Sequence, residues 1–302
     1  MHKVNVSVPA VATNVGPGYD VLGLALNLRN TIEMSLTSEN DLAVTVAGEG
    51  VGTLPENYYN PVMTAAIHLF QQLEQAPAGL TVSCHNRIPL DVGLSARTTM
   101  IVGGLVGANN LVGSPFLRVD LIQMAAELSG RPEAVVAAMQ GGLGICATGS
   151  ERILHRTVEV APLRVVIALP EVPSYEPRLR DDLPGEVALA DAVHNIGHTA
   201  LVIEALRTGD DDLLAQALQD RLHEPHRRSH IPAYDAVVAA AKNAGAVGVT
   251  LCGAGPAVIA FAAANHQLIE TAIQGAFQEA KIEARTWAMG IDTQGVVISV
   301  VE

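Results

Sequence analysis

Apolar positions recur with two different periods along this chain, and each change of period marks an element. Residues 3–8 (KVNVSV) alternate polar and apolar side chains and run into Pro9, the pattern of a half-buried strand. A strand-like pattern returns over residues 31–47, broken at Glu39-Asn40-Asp41, which predicts a turn. Over residues 61–74 the period lengthens: Val62, Ala65, Ala66, Leu69, Phe70 and Leu73 form one helical stripe, with Asn60 as a cap and Pro61 at the first position. Residues 80–83 again read as a strand, 98–110 as a helix of small and apolar residues, and 117–128 as an amphipathic helix. Further on, 163–169 and 258–262 predict strands, 267–280 a helix and 295–301 a closing strand.

Between these elements lie two turns with candidate chemistry. The stretch 88–109 (IPLDVGLSARTTMIVGGLVGAN) sets a Gly93-Leu94 turn directly before a helix. The unpaired N–H groups and positive dipole end of that helix would face an anion on the turn. Where a glycine-rich phosphate loop has glycines and small hydroxyl residues, this chain has Ser95, Ala96 and Arg97. A β-carbon at Ser95 is expected to obstruct a positive-φ turn, and Ala96 has nothing with which to ligate a metal. Arg97 has two readings: a fixed positive charge for phosphate, or a plug that ion-pairs with an acidic neighbour. Thr98 and Thr99 supply hydroxyls if the register shifts by one or two residues. The second turn, Gly16-Pro17-Gly18, is flanked by Asn14 and Asp20, which either shape the turn or face a pocket.

Composition narrows the partners. The 302 residues suffice for two modest cores, so two lobes are expected. Hydrophobic content of 49% against 16% charged excludes a disordered chain. No apolar run reaches the roughly 18 residues of a membrane span, and MHKVNVSVPA lacks a signal-peptide core, so a cytoplasmic protein is expected. A net charge of −13 with no basic stripe argues against nucleic acid and leaves small molecules as partners. Cys84, Cys146 and Cys252 have no metal or redox spacing and read as buried small hydrophobes.

The segment VPAVATNVGPGYDVLGLAL resembles the N-terminal signature of homoserine kinases, PATSANLGPGFDxLGLAL. Val8, Pro9, Ala10, Asn14, Gly16, Pro17, Gly18, Asp20 and 22–26 fit it, and Val11 replaces a usual Thr or Ser. PLDVGLSARTT resembles the second motif, PxGxGLGSSAA, at Pro89, Gly93 and Leu94. SGRPEAVVAAMQGG stands in the place of EGHPDNVAPALLGG, with Arg131, Glu133 and Ala134 for the usual His, Asp and Asn. In the second half, DRLHEPHRRSHIP resembles DxLHQPYRxxLIPG, and TLCGAGPAVIAF resembles LSGAGPTVLAL with Cys252 for a common Ser.

That resemblance to the homoserine kinases of the GHMP superfamily implies an α+β fold in two lobes. Residues 1–155 would form the nucleotide-binding lobe, like ribosomal protein S5 with a left-handed βαβ unit, and 156–302 a ferredoxin-like lobe. It implies ATP-dependent phosphorylation of the side-chain hydroxyl of L-homoserine in threonine biosynthesis, with Mg²⁺, in a homodimer. Asn14 and Asp20 would then contact the amino acid, with Asp20 near the accepting hydroxyl. Arg180 and Arg227 would hold its carboxylate, and the Gly253 turn would lie beside it. Asn60 would border the adenine pocket, while Pro89, Gly93, Leu94, Ser95, Ala96, Arg97 and Thr98 would form the phosphate loop. Glu127 would bind Mg²⁺. Glu176 stands where the family has a Thr, Asn195 fits an Asn of the following helix, and His198 stands at a usual Arg. Since the departures concentrate at the phosphate loop, Arg97, Glu127, Arg131 and Glu133 would, in a different reading, pair across an emptied nucleotide site. Two other functions follow from that: an ATP-independent lyase, isomerase or hydrolase on a homoserine-like or phosphorylated acid, or a non-catalytic amino-acid-binding pseudokinase.

Overall fold

The first strand outruns its expected end. In the computed structural model, which describes residues 3–149, 152–172 and 183–301, β1 (Lys3–Thr13) continues through Pro9. A register shift between Pro9 and Ala10 absorbs the residue that cannot donate to the ladder. Its antiparallel partner is β2 (Leu22–Thr37), sixteen residues long, which starts nine residues before the strand pattern expected from residue 31. The Gly16-Pro17-Gly18 turn therefore joins two long strands at the end of a sheet.

That sheet has seven strands. Its edge strand β3 (Leu42–Gly48) lies parallel to β4 (Gly79–Asn86), and α1 (Pro61–Gln72) makes the crossover between them. The helices α2 (Ala96–Leu111), α3 (Arg118–Ser129) and α4 (Pro132–Gln140) follow, then β5 (Leu143–Ala147), which pairs with the start of β2, and β6 (Leu154–Val158) on β5. Apolar residues of the sheet, among them Val6, Val8, Ile32 and Met34, form one core with Val62, Leu69, Met100 and Leu105 from the helices. Helix α2 is buried around most of its circumference because it is built from small residues. A Cβ at Gly103 would overlap Ile32, one at Gly107 the Met34 sulfur, and one at Gly104 the Val62 carbonyl of α1.

The second sheet begins with β7 (Arg164–Pro170). Among the described residues α5 (Leu189–Thr208), α6 (Asp211–Ala217) and the short α7 (Glu224–Arg227) follow. Then come α8 (Tyr234–Asn243), β8 (Gly248–Leu251), β9 (Val258–Ala262), α9 (His266–Glu279) and β10 (Ala284–Gly290). Its strands are ordered β10-β7-β9-β8 and all pairs are antiparallel, the ferredoxin-like arrangement expected of this half. Val237, Ile273 and Phe277 of α8 and α9 cover one of its faces.

A third apolar cluster joins Leu22, Leu24 and Leu94 to Ile167, Ile259, Phe261, Val202 and Leu218, so the two halves share a core where the glycine-rich turns meet. The halves also exchange strands. Residue 155 falls inside β6, which pairs in the first sheet, and the closing strand β11 (Val297–Val301) pairs with β1. Arg29 anchors that return: it ion-pairs with Asp292, and its Nη2 donates to the carbonyls of Gly295 at 2.6 Å and Ser7 at 2.9 Å. The three cysteines are free and buried, as the sequence suggested, and burial pushes the Cys84 and Cys146 thiols up to about 12.

Candidate active site

The phosphate-loop stretch docks on the turn after β8. Gly93 has φ +89°, and a Cβ there would overlap the Cys252 carbonyl oxygen, so the glycine is a requirement of close backbone approach. On the other side, Gly253 N–H donates to the Thr13 carbonyl at 2.8 Å, and Val11 N–H donates to the Leu94 carbonyl at 3.2 Å. The end of β1, the loop and the 253–255 turn thus share one set of backbone hydrogen bonds. They surround a hollow of about 190 Å³ lined by Ser95, Arg97, Thr98, Ser129, Arg131 and Gly253 among others.

Ser95 corrects an expectation. It adopts the left-handed conformation (φ 57°, ψ 32°) that its β-carbon was expected to obstruct, and its hydroxyl donates to the Val11 carbonyl at 3.0 Å. That bond holds a non-glycine residue in αL and spends the side chain, so Ser95 does not cap α2. The first helical bond runs from Thr99 N–H to the Ser95 carbonyl, leaving the N–H groups of Ala96, Arg97 and Thr98 without helical partners at the hollow. Thr99 points inward, its hydroxyl on the Ala96 carbonyl at 2.7 Å, so Thr98 is the threonine that lines the hollow.

Arg97 pairs with Asp91, through Nε and Nη2 to the two carboxylate oxygens, each at 2.9 Å. The bond keeps the guanidinium firmly charged. Its acidic partner is therefore Asp91, six residues before it, and not the more distant Glu127 or Glu133. Glu127 is not brought to the loop at all. It is exposed on α3, accepts from Gln123 Nε2 at 2.7 Å, and borders a separate hollow with Arg152 and His155. Counting SGRPEA against EGHPDN residue by residue puts Ser129 at the acidic position, and Ser129 does line the hollow, as Arg131 does. Asn60 is fully buried and committed to capping: Oδ1 accepts from Val62 N–H at 3.0 Å and Nδ2 donates to the Pro55 carbonyl at 2.9 Å. Pro89 and Leu94 are buried, Leu94 in the shared core, and shape the loop without lining it.

The amino-acid side is built from the other turn. Asn14 and Asp20 both have positive φ, and the Asp20 N–H donates to Asn14 Oδ1 at 2.9 Å, which closes the Gly16-Pro17-Gly18 loop into a rigid unit. Asn14 is fully buried, and among the described residues its Nδ2 has no hydrogen-bond partner. Across the seam, Asn195 and Thr199 of α5 donate to the Pro17 carbonyl at 3.1 and 3.0 Å. Arg227, 3% exposed, donates through Nη1 to the Gly253 carbonyl at 3.3 Å and lies 5.3 Å from the Tyr19 ring centroid. Its neighbour His223 is fully buried, with burial pushing its pKa down. The sequence singled out neither Tyr19 nor His223; the LHEPHR segment held the signal, since a histidine four residues before a buried arginine shares its helical face. Arg180 and Glu176 lie outside the described residues. His198 donates to or accepts from nothing in this cluster; its Nδ1 meets the Ala217 carbonyl at 3.1 Å.

The donor set suits a phosphate chain better than a metal. Mg²⁺ takes hard oxygen ligands, chiefly carboxylates. Asp91, the carboxylate lining the hollow, has both oxygens on Arg97, and among the described residues no cluster of metal-ligating side chains occurs. The described residues therefore do not fit a Mg²⁺ held by protein groups alone: they offer one carboxylate at the hollow, and it is paired with Arg97.

Comparison with known proteins places this arrangement. The family model for the GHMP kinases N terminal domain matches residues 60–142, and that for the GHMP kinases C terminal matches 202–279. The homoserine kinase of Moorella thermoacetica is 36% identical over 294 residues, 97% of this chain and 99% of that one. That of Microchaete diplosiphon is 37% identical over 298 residues, covering 97% and 96%. A crystal structure of homoserine kinase from Cytophaga hutchinsonii superposes with a TM-score of 0.89 at 26% identity, over 98% of this chain and 97% of that one.

Proposed function

We infer the chemistry from one premise: the chain belongs to the homoserine kinase family of the GHMP kinases. It transfers the terminal phosphoryl group of ATP to the side-chain hydroxyl of L-homoserine, giving O-phosphohomoserine and ADP for threonine biosynthesis. The observation that carries this reading is the double use of Gly253. Its carbonyl receives the buried Arg227, a carboxylate receptor, and the same residue lines the hollow at the α2 N-terminus, a phosphate receptor.

In this arrangement Arg227 takes the amino-acid carboxylate and the Asn14 amide donates to the substrate. Asp20 lies beside the side-chain hydroxyl. The hydroxyl oxygen forms a bond to the γ-phosphorus as the bond from that phosphorus to the β,γ-bridging oxygen breaks. ADP leaves with those electrons, and the hydroxyl proton passes through the Asp20 carboxylate to solvent. The chain's contribution is positioning and electrostatic stabilisation, supplied by helix N–H groups and guanidinium charge where oxygen charge accumulates. The family implies Mg²⁺ with the ATP, and no step here is assigned to it. A homodimer in the cytoplasm completes the reading; among the described residues no helix is long and apolar enough to cross a membrane.

A ³¹P NMR time course with Mg-ATP and L-homoserine tests it. A new phosphomonoester resonance growing with ADP is expected. An unchanged spectrum at high protein concentration overturns the assignment.

A further inference from the structure

We propose that this chain holds the phosphate chain of its donor by guanidinium and helix N–H groups, so that nucleotide binding does not require a divalent cation. The inference rests on the kinase assignment and concerns the same hollow. Three observations lead to it. At the position where the family motif has an acidic residue the hollow has Ser129, whose hydroxyl is engaged by the Arg131 N–H at 3.2 Å. The one carboxylate among the described residues that line the hollow, Asp91, accepts from Arg97 with both oxygens. And Arg131 lines the hollow while its guanidinium makes no ion pair among the described residues.

The Asp91 pair leaves Arg97 useful. A guanidinium carries five N–H donors, and Asp91 takes one from Nε and one from Nη2. Three remain, on a group whose plane the two-point contact has fixed. Asp91 thus orients Arg97 as a second-layer carboxylate orients a ligand. Arg97 and Arg131 then stand on one hollow with the uncapped N–H groups of Ala96, Arg97 and Thr98. A polyanion entering it meets two permanent cations and a helix N-terminus, the charge that a metal ion supplies to phosphates elsewhere.

Calorimetric titration of the full chain with tripolyphosphate and with ATP, each in EDTA and in excess Mg²⁺, tests the proposal. Affinity in EDTA is expected to match that in Mg²⁺ to within about threefold, and Arg131→Gln and Arg97→Gln are each expected to weaken binding in EDTA about tenfold. Arg131→Lys, which keeps the charge, is expected to recover most of that loss. Thermal melts confirm that each variant is folded. Binding that Mg²⁺ tightens by more than about tenfold overturns the proposal, as do Gln variants that bind metal-free ATP like the parent, an Arg131→Lys that behaves like Arg131→Gln, or a parent that binds neither ligand. The ³¹P assay on the same samples separates the two ideas. Turnover with strictly Mg²⁺-dependent binding keeps the kinase and removes this inference, whereas metal-free binding without turnover keeps the inference and removes the kinase.

Discussion

Arg227 Nη1 donates to Nδ1 of His223 at 3.2 Å, and that one bond fixes the tautomer of a fully buried imidazole. A guanidinium can only donate, so Nδ1 accepts and the ring proton sits on Nε2, which donates to the Gly16 carbonyl at 2.9 Å. His223 is therefore a positioning residue: it ties Arg227 of the second lobe, the arginine proposed to take the carboxylate, to the glycine-proline turn of the first. The Tyr19 ring, its centroid 5.5 Å from that of His223, closes the same packet.

Replacing His223 by Ala is expected to raise KM for L-homoserine at least about tenfold with a smaller effect on kcat, since a hydrogen bond to a charged group contributes about 1.5–3 kcal/mol. Steady-state kinetics separates the two parameters. Equal losses in both would place His223 in the chemistry instead.

The same burial makes acid stability a test. His223 is held below its ordinary value of 6.5, mainly by desolvation and also by the Arg227 charge, against the opposing pull of Asp220 and Asp20. Below pH about 6.5 the unfolded chain takes up a proton that the folded chain refuses. Stability from this group is present above that pH and lost as the pH falls below it. Glu224 titrates oppositely: burial raises it, so its carboxyl favours the folded state at the acid end. Melting temperatures measured from pH 7.5 to 5 are expected to fall for the parent and to fall less steeply for His223→Gln. Parallel curves would remove the role assigned to the imidazole.

Arg227→Lys keeps the charge but loses the planar fork, and homoserine affinity is expected to drop on the order of tenfold or more. Titration with homoserine measures it. Retained affinity would mean that the carboxylate binds elsewhere.

Ser95 is held in the left-handed region by its hydroxyl, so Ser95→Val, branched at Cβ and without that bond, is expected to destabilise the fold by about 2–3 kcal/mol. Ser95→Gly exchanges the lost bond for relief of the backbone and is expected to stay within about 1 kcal/mol of the parent. Denaturant melts of both variants check the pair, and a Val variant as stable as the Gly variant contradicts this account of the turn.

Glu127→Gln is expected to leave Mg-ATP turnover within about twofold of the parent, because surface substitutions away from a site act weakly. A loss of one hundredfold would return Glu127 to the catalytic machinery.

Much of this was legible in the chain itself. Helix α1 begins at Pro61 behind an Asn60 cap, and β9 spans Val258–Ala262, both as periodicity indicated. Boundaries shifted where burial overrode local pattern, as at Pro9, where strand pairing continued through a residue that usually ends it. The turns carrying Gly93 and Gly253 were visible as glycine punctuation, but the backbone contact between them, 160 residues apart in the chain, was not.

What the sequence determined, then, is the inventory: which segments form strands and helices, which family the motifs belong to, and that Ser95, Ala96 and Arg97 occupy the phosphate loop. Which side chains meet was decided by tertiary structure. Glu127 and Ser129 are two residues apart on α3, about 200° around a helix with 3.6 residues per turn, so only one of them can face the loop. Arg97 chose Asp91 over more distant acids because Asp91 lies on the loop that leads into the first turn of α2, six residues away, where little chain entropy is lost in pairing them. His223 met Gly16 only because the lobes close on a shared apolar core, a contact between distant segments that no local pattern encodes.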